Sequence, residues 1–417
     1  MAISKPVQVR TARNRLSVGG SIGLLDFRRV LAGIHKLTAR TGDVVLDFSA
    51  CEAASPGPML TICADATRLR KQGHRFELLL PSAPTLAARF RNSGWAYFLD
   101  PQSYPPSRSR SVTQVPLIQF STPHEQQDAV NRMIDAILSS VTTLGRGDLA
   151  AIEWSLNEIT DNVLVHATSE VGGFVQLTNS ASKRRVEFSV ADAGVGIPQT
   201  LREGHPEIAS DSEALERAIM EGVTRSFSIG QGNGLFGTFK VAQVSNGAFH
   251  IHSSYARLDY DSDQVRIRSE AIPYRGTLVV ASMDYSNPAA LGEALRFGGK
   301  RYEPTDYIEH RYEHDTRDDL IIRLKDEARS FGSRVAGQPI RNKLRNLIRM
   351  NPGHRVVLDF AGIPLVSSSF ADEVVAKLFV ELGPMAFINV IELRNVSETV
   401  QALIDRAIVQ RGRTGIG

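Results

Sequence analysis

The sequence predicts an α/β multidomain chain, with a central α+β two-layer sandwich between two small α/β domains. Three observations carry this. A chain of 417 residues exceeds one ordinary hydrophobic core. In the middle third, two amphipathic helical patterns precede a run of strand patterns, the order of an α+β layer rather than a doubly wound sheet. Near the C-terminus, Val356-Val357-Leu358-Asp359-Phe360 repeats Val44-Val45-Leu46-Asp47-Phe48, and each copy leads into a small-residue turn and a helical pattern. The expected boundaries are 1–115, 121–290 and 310–417.

In the first segment, Asp43–Phe48 and Phe76–Pro81 are short apolar runs with strand character. Between them, Met59–Gln72 has helical spacing and stops before Gly73. Four prolines between Pro101 and Pro116 and the run Ser107-Arg108-Ser109-Arg110-Ser111 predict a linker or long surface loop. In the second segment, Ala129, Met133, Ile134, Ile137 and Leu138 form one helical stripe, and Leu149–Val165 a stronger one. Strands are expected at Phe174–Leu177, Val186–Val190, Phe249–His252 and Thr277–Val280.

Composition is that of a folded protein, 42% hydrophobic and 22% charged. A formal charge of +3 requires no polyelectrolyte partner. Cys51 and Cys63 form neither a metal-type pair nor a disulfide ladder, which fits a reducing compartment. No stretch has the apolar length of a membrane span, so a cytoplasmic protein is expected.

Three motifs occur in order. Glu158, Asn162 and His166 recur every fourth residue and share a helix face, so a carboxylate able to activate water and an amide oxygen able to ligate Mg²⁺ point the same way. Alone, this row reads more readily as a solvated polar stripe. Asp192-Ala193-Gly194-Val195-Gly196 follows a strand. An acceptor-only carboxylate there can take an exocyclic amine, while the glycines admit close backbone approach. Gly230-Gln231-Gly232-Asn233-Gly234-Leu235-Phe236-Gly237 precedes the helical pattern Thr238–Val244, leaving amide N–H groups to cradle phosphates. Each motif is weak by itself, and their order is what gives specificity.

With these residues in view, 123–288 resembles the GHKL superfamily of ATPases, which share the Bergerat sandwich. The resemblance implies that Glu158 is the general base, Asn162 the Mg²⁺ ligand and Asp192 the reader of adenine. It also implies that Gly194 and Gly196 form the first glycine box, Gly232, Gly234 and Gly237 the second, with Gly230 and Leu235 beside them. Thr277 supports the adenine contact and residues 198–229 are the ATP lid. The implied ligands are ATP and Mg²⁺. His124-Glu125 lies too close to the Asn162 helix for the dimerisation domain of a sensor kinase.

The outer segments resemble STAS domains, the fold of anti-sigma-factor antagonists. Aligned from Asp359, Ser368 takes the phosphoacceptor position and Ser367 replaces the usual aspartate; in the first copy Pro56, after Ser55, stands there. Helix capping is the alternative use of Ser367–Ser369. A protein partner is expected through these domains. Arg341, Arg345 and Arg349 make the one basic stripe, within a run free of acidic residues from Arg329 to Arg355, and nucleic acid is its less favoured occupant. The expected function is an ATP-binding, ATP-hydrolysing regulatory protein. The rivals are a serine kinase of anti-sigma-factor type and a non-hydrolysing ATP-gated module.

Overall fold

The computed structural model describes residues 6–414 except 110, 112, 142–143, 221, 224–233, 287–295, 298–299, 302–306, 315–316 and 329. The chain divides into two compact units, residues 1–133 with 154–302, and residues 134–153 with 303–417. The chain is α/β with mixed sheets.

The first unit begins with β1 (Gln8–Ala12), β2 (Arg15–Ile22), α1 (Phe27–Thr38), β3 (Asp43–Asp47), β4 (Cys51–Ala54), α2 (Pro56–Lys71) and β5 (Arg75–Leu79), followed by α3 (Pro84–Asn92) and α4 (Trp95–Leu99). The sheet order is β1-β2-β3-β5, with β4 also on β2; β3 lies parallel to both neighbours. The expected helix Met59–Gln72 is thus α2, starting at Pro56, where the fixed φ of proline suits a first turn.

A second, fully antiparallel sheet follows, in the order β6-β7-β8-β10-β9: β6 (Gln114–Phe120), β7 (Gly173–Ser180), β8 (Arg185–Asp192), β9 (Ala248–Asp261) and β10 (Gln264–Asp284). The C-terminal end of the expected proline-rich loop is instead edge strand β6. Pro116 lies where the β6–β7 register shifts, and an edge strand tolerates the missing donor. Two helices, α5 (Pro123–Ser140) and α6 (Arg146–His166), stand between β6 and β7. Three more, α7 (Ile197–Gly204), α8 (Asp211–Ala218) and α9 (Gly234–Val244), stand between β8 and β9.

The two sheets of this unit share a core. Phe174, Ala191, Leu278 and Val280 of the second sheet pack with Met59, Leu60, Cys63 and Trp95 of the first segment. The helix α2 is buried along nearly its whole length, and a Cβ at Gly57 would stand 2.7 Å from Val280 Cγ2. Trp95 donates to Gln176 Oε1 at 2.9 Å.

In the second unit, β11 (Glu313–His314), β12 (Arg317–Arg323), β13 (Arg355–Asp359) and β14 (Ile391–Arg394) form one sheet in that order, with the last three parallel. Before it comes α10 (Tyr307–Tyr312), and after β12 come α11 (Leu324–Glu327) and α12 (Arg334–Met350). Beyond β13, α13 (Ser368–Ala371) runs into a π-helical turn, Asp372–Ala376, then α14 (Lys377–Leu382), α15 (Pro384–Val390) and, after β14, α16 (Glu398–Thr414). The unit also contains residues 134–153, the end of α5 and the start of α6. Here α12 grips that stretch: Asn346 donates to Leu138 O at 2.8 Å and to Val141 O, and Arg349 to Leu144 O at 2.5 Å. Lys343, only 2% exposed, pairs with Asp135 and Glu327. Its two carboxylate partners outweigh burial and raise its pKa, so it stays charged.

Candidate functional site

Within the first unit, β8 ends on Asp192, 2% exposed. Its carboxylate accepts the Gly194 N–H at 2.7 Å on one oxygen and the Thr277 N–H at 3.2 Å on the other. Burial pushes its pKa up to about 7 against the pull of these two bonds. The turn after it is fixed by shape. A Cβ at Gly194 would overlap the Ala167 carbonyl just past α6, and the Val195 N–H donates to that carbonyl at 2.9 Å. Gly196, at φ 83°, lies in the left-handed region, where a side chain would also press on Ser253 Oγ.

On α6, Glu158 and Asn162 are half-buried on one face. The start of α9 lies against them: a Cβ at Gly234 would stand 2.6 Å from Glu158 Oε2 and 3.4 Å from Asn162 Nδ2. Burial first, and the nearby Asp161 second, push the Glu158 carboxyl up to about 7. Of the second glycine run, Gly234 is thus the residue placed beside Glu158 and Asn162. His166 is half-buried at the end of α6, where its carbonyl accepts from Thr200 at 3.4 Å.

Of the second glycine run, Gly230 and Gly232 lie outside the described residues. Gly234 and Gly237 are buried in α9, and Leu235 packs against Leu201, Ile208, Ala214 and Ala218 of the segment after Asp192. That segment, the expected lid, forms α7 and α8 over its described part. It is tied by Arg202 to Asp211 at 2.7 Å and by Arg217 to Glu213 at 2.8 Å.

Three contributors escaped sequence reasoning. Ser253 accepts from the Ile197 N–H at 3.0 Å and donates to Gly276 O at 2.8 Å, so it bridges both sides of the Asp192 turn. Tyr274, buried, donates its hydroxyl to the Asp192 backbone oxygen. The Ala167 carbonyl anchors the turn from the α6 side. No local pattern marks a serine, a tyrosine or a carbonyl for such roles. The nearby Tyr-Arg-Gly-Thr run was the one available signal.

In the second unit the expected roles shift. Ser367 is the helix cap, accepting the Phe370 N–H at 3.1 Å, and Ser368 is the exposed first residue of α13. Capping therefore belongs to Ser367 and leaves Ser368 accessible. The arginine stripe is occupied from within. Arg341 binds Glu373 at 3.1 Å and Glu381 at 2.6 Å, Arg345 binds Glu381 at 3.2 Å, and Arg349 is engaged with Leu144 O. The acids come from the elements after β13, beyond the acid-free run, so the sequence window hid them. The stripe, whose favoured reading is a solvated helix face with nucleic acid as the lesser alternative, is thus a row of paired arginines.

Among the described residues, no helix is long and apolar enough to cross a membrane. Also among them, no group of three or more His, Cys, Asp or Glu side chains has the form of a metal site. No curated protein matches the chain. A family model described as a STAS-like domain of unknown function, DUF4325, matches residues 336–401, from α12 through the first turn of α16. Residues 336–401 are thus a STAS-like domain.

Proposed function

We propose that residues 121–290 form a GHKL (Bergerat) domain that binds ATP with Mg²⁺ and hydrolyses it. Residues 1–115 are then a second STAS-like domain, and the chain is an ATP-dependent regulatory protein acting on a protein partner through its STAS-like parts. The observation that carries the reading is Asp192. A carboxylate taken out of water is costly unless charge or hydrogen bonds offset it. Asp192 receives two neutral N–H donors and keeps further acceptor positions, which suit the amino group of adenine.

The donor set fits the nucleotide's metal as well. Asn162 would hold Mg²⁺ together with the phosphates, and the ion would supply neutralisation of their charge. Glu158, half-buried on the same helix face, takes a proton from the attacking water. A base poised near 7 suits that task at neutral pH. The serine-kinase variant of this reading is favoured by one feature, the exposed Ser368 hydroxyl next to the capping Ser367.

The decisive test is incubation of the full chain with γ-labelled ATP and Mg²⁺. Free phosphate supports the ATPase, label on Ser368 supports the kinase variant, and bound unhydrolysed ATP leaves the gated module. Asp192→Asn should cost tenfold or more in ATP affinity, because a hydrogen bond to a charged acceptor is worth ~1.5–3 kcal/mol. Unchanged affinity by calorimetry rejects the pocket. The parent should lose stability as pH rises from about 4 to 8, and Asp192→Asn, which does not titrate, should not show that slope. Asp192 binds its proton more tightly in the folded chain than at the unfolded value of 3.8, so its favourable contribution is present below that value and lost as pH rises through about 7. Glu158→Ala should keep ATP bound and slow turnover by ~10²–10⁴-fold. Parental turnover should fall as pH drops below about 7, when Glu158 takes up its proton.

A further inference from the structure

We propose that Arg28, in the N-terminal segment, is a positioning residue for the nucleotide site, holding the irregular part of β9 and β10 that presents Tyr274 and Thr277 to Asp192. Its functional meaning rests on the nucleotide reading of Asp192, while its geometry does not.

Arg28 lies on α1 and is 3% exposed. Its guanidinium donates to three backbone carbonyls of the second sheet: Ser254 O at 2.6 Å, Ile272 O at 2.7 Å and Ala256 O at 2.9 Å. These lie where the β9–β10 ladder breaks, with register shifts on both sides of Tyr274. A bulge leaves carbonyls without ladder donors, and a planar fork of N–H groups can satisfy several at once. Ser254 has φ 48°, a left-handed conformation for a residue with a side chain, held beside this contact. The neighbouring Phe27 packs edge-on against Tyr274, ring centroids 5.4 Å apart, and against His252 at 5.3 Å.

From this point the contacts run to Asp192. The Tyr274 hydroxyl donates to the Asp192 backbone oxygen. Gly276, at φ 114°, passes so close to that oxygen that a Cβ would overlap it. The Thr277 N–H then reaches the carboxylate. Every donor that β10 gives to Asp192 thus lies within five residues of the carbonyl of Ile272 that Arg28 holds. The first segment is consequently part of the nucleotide site, and anything that loosens α1 from the second sheet weakens the site.

The test uses the full chain as wild type, Arg28→Ala, Arg28→Lys and Tyr274→Phe, with Mg-ADP as probe. Two readouts are taken: hydrogen exchange of peptides covering 193–197 and 275–279 without nucleotide, and ADP affinity. A lysine keeps the charge but not the fork, so both Arg28 variants should exchange faster at the two peptides than at β7. Both should bind ADP about tenfold more weakly, and Tyr274→Phe about threefold. Unchanged exchange at both peptides in a folded Arg28 variant overturns the inference. If Arg28→Ala does not fold, Arg28→Lys and Tyr274→Phe decide by the same criterion. If wild type binds no ADP, the nucleotide reading fails, and the exchange result still decides the positioning role.

Discussion

At the ends of β3 and β13 the backbone does the same things. The Phe48 N–H donates to Leu79 O at 2.9 Å and the Phe360 N–H to Arg394 O at 2.9 Å, each reaching the next parallel strand. The aspartate before each phenylalanine closes a turn, Asp47 on the Ser49 N–H at 3.0 Å and Asp359 on the Ala361 N–H at 2.9 Å. Further on, at the same offset, stand Ser55 and Ser367, both helix N-caps with extended backbone, whose own N–H groups donate to Ile22 O and Phe331 O. The copies part at the next residue. In the first, Pro56 and Gly57 start a helix pressed against the second sheet, and the Ser55 hydroxyl makes no cap bond. In the second, Ser367 caps and Ser368 faces solvent. One turn serves burial in the first case and leaves an accessible hydroxyl in the second. What packs on the helix start decides which.

Four substitutions sharpen or break this contrast. Gly57→Leu should have the largest effect, ~1–3 kcal/mol or more of lost stability by denaturant titration, because its side chain must enter space held by Val280 and Ser189. Full stability would mean that α2 is not tightly seated. Ser367→Ala should cost ~1 kcal/mol, the usual worth of an N-cap bond. Ser55→Ala and Ser368→Ala should both stay within ~0.5 kcal/mol of the parent. Equal losses at Ser55 and Ser367 would erase the difference between the two turns.

The strand cores at Val44–Asp47, Phe174–Leu177 and Val186–Val190 were legible because apolar runs bounded by turns leave little choice. Only short parts of β9 and β10 could be read. The outer length of β9 does alternate, with Ala256, Leu258 and Tyr260 buried between charged neighbours, but the run is short and follows a break at Ser253–Ser254, while the outer length of β10 is mostly polar and exposed. β6 was hidden by the prolines before it. At the site, Glu158 and Asn162 were legible from helical spacing, and Asp192 with Gly194 and Gly196 from a strand-end turn. Arg28, Ser253 and Tyr274 were not, because their partners lie far along the chain and depend on the register of a bulged strand pair. Local patterns hold no record of such a register.

The grip of α12 on residues 134–153 has a consequence for anyone who would take the molecule apart. Cutting near residue 300, where the sequence suggests a seam, leaves the downstream fragment with Lys343 lacking Asp135, and with Asn346 and Arg349 lacking the carbonyls of Leu138, Val141 and Leu144. The upstream fragment loses the donors for those same carbonyls. Neither piece carries all its own hydrogen bonds, so the second unit folds as it is seen here only when both stretches of chain, distant in sequence, are present together.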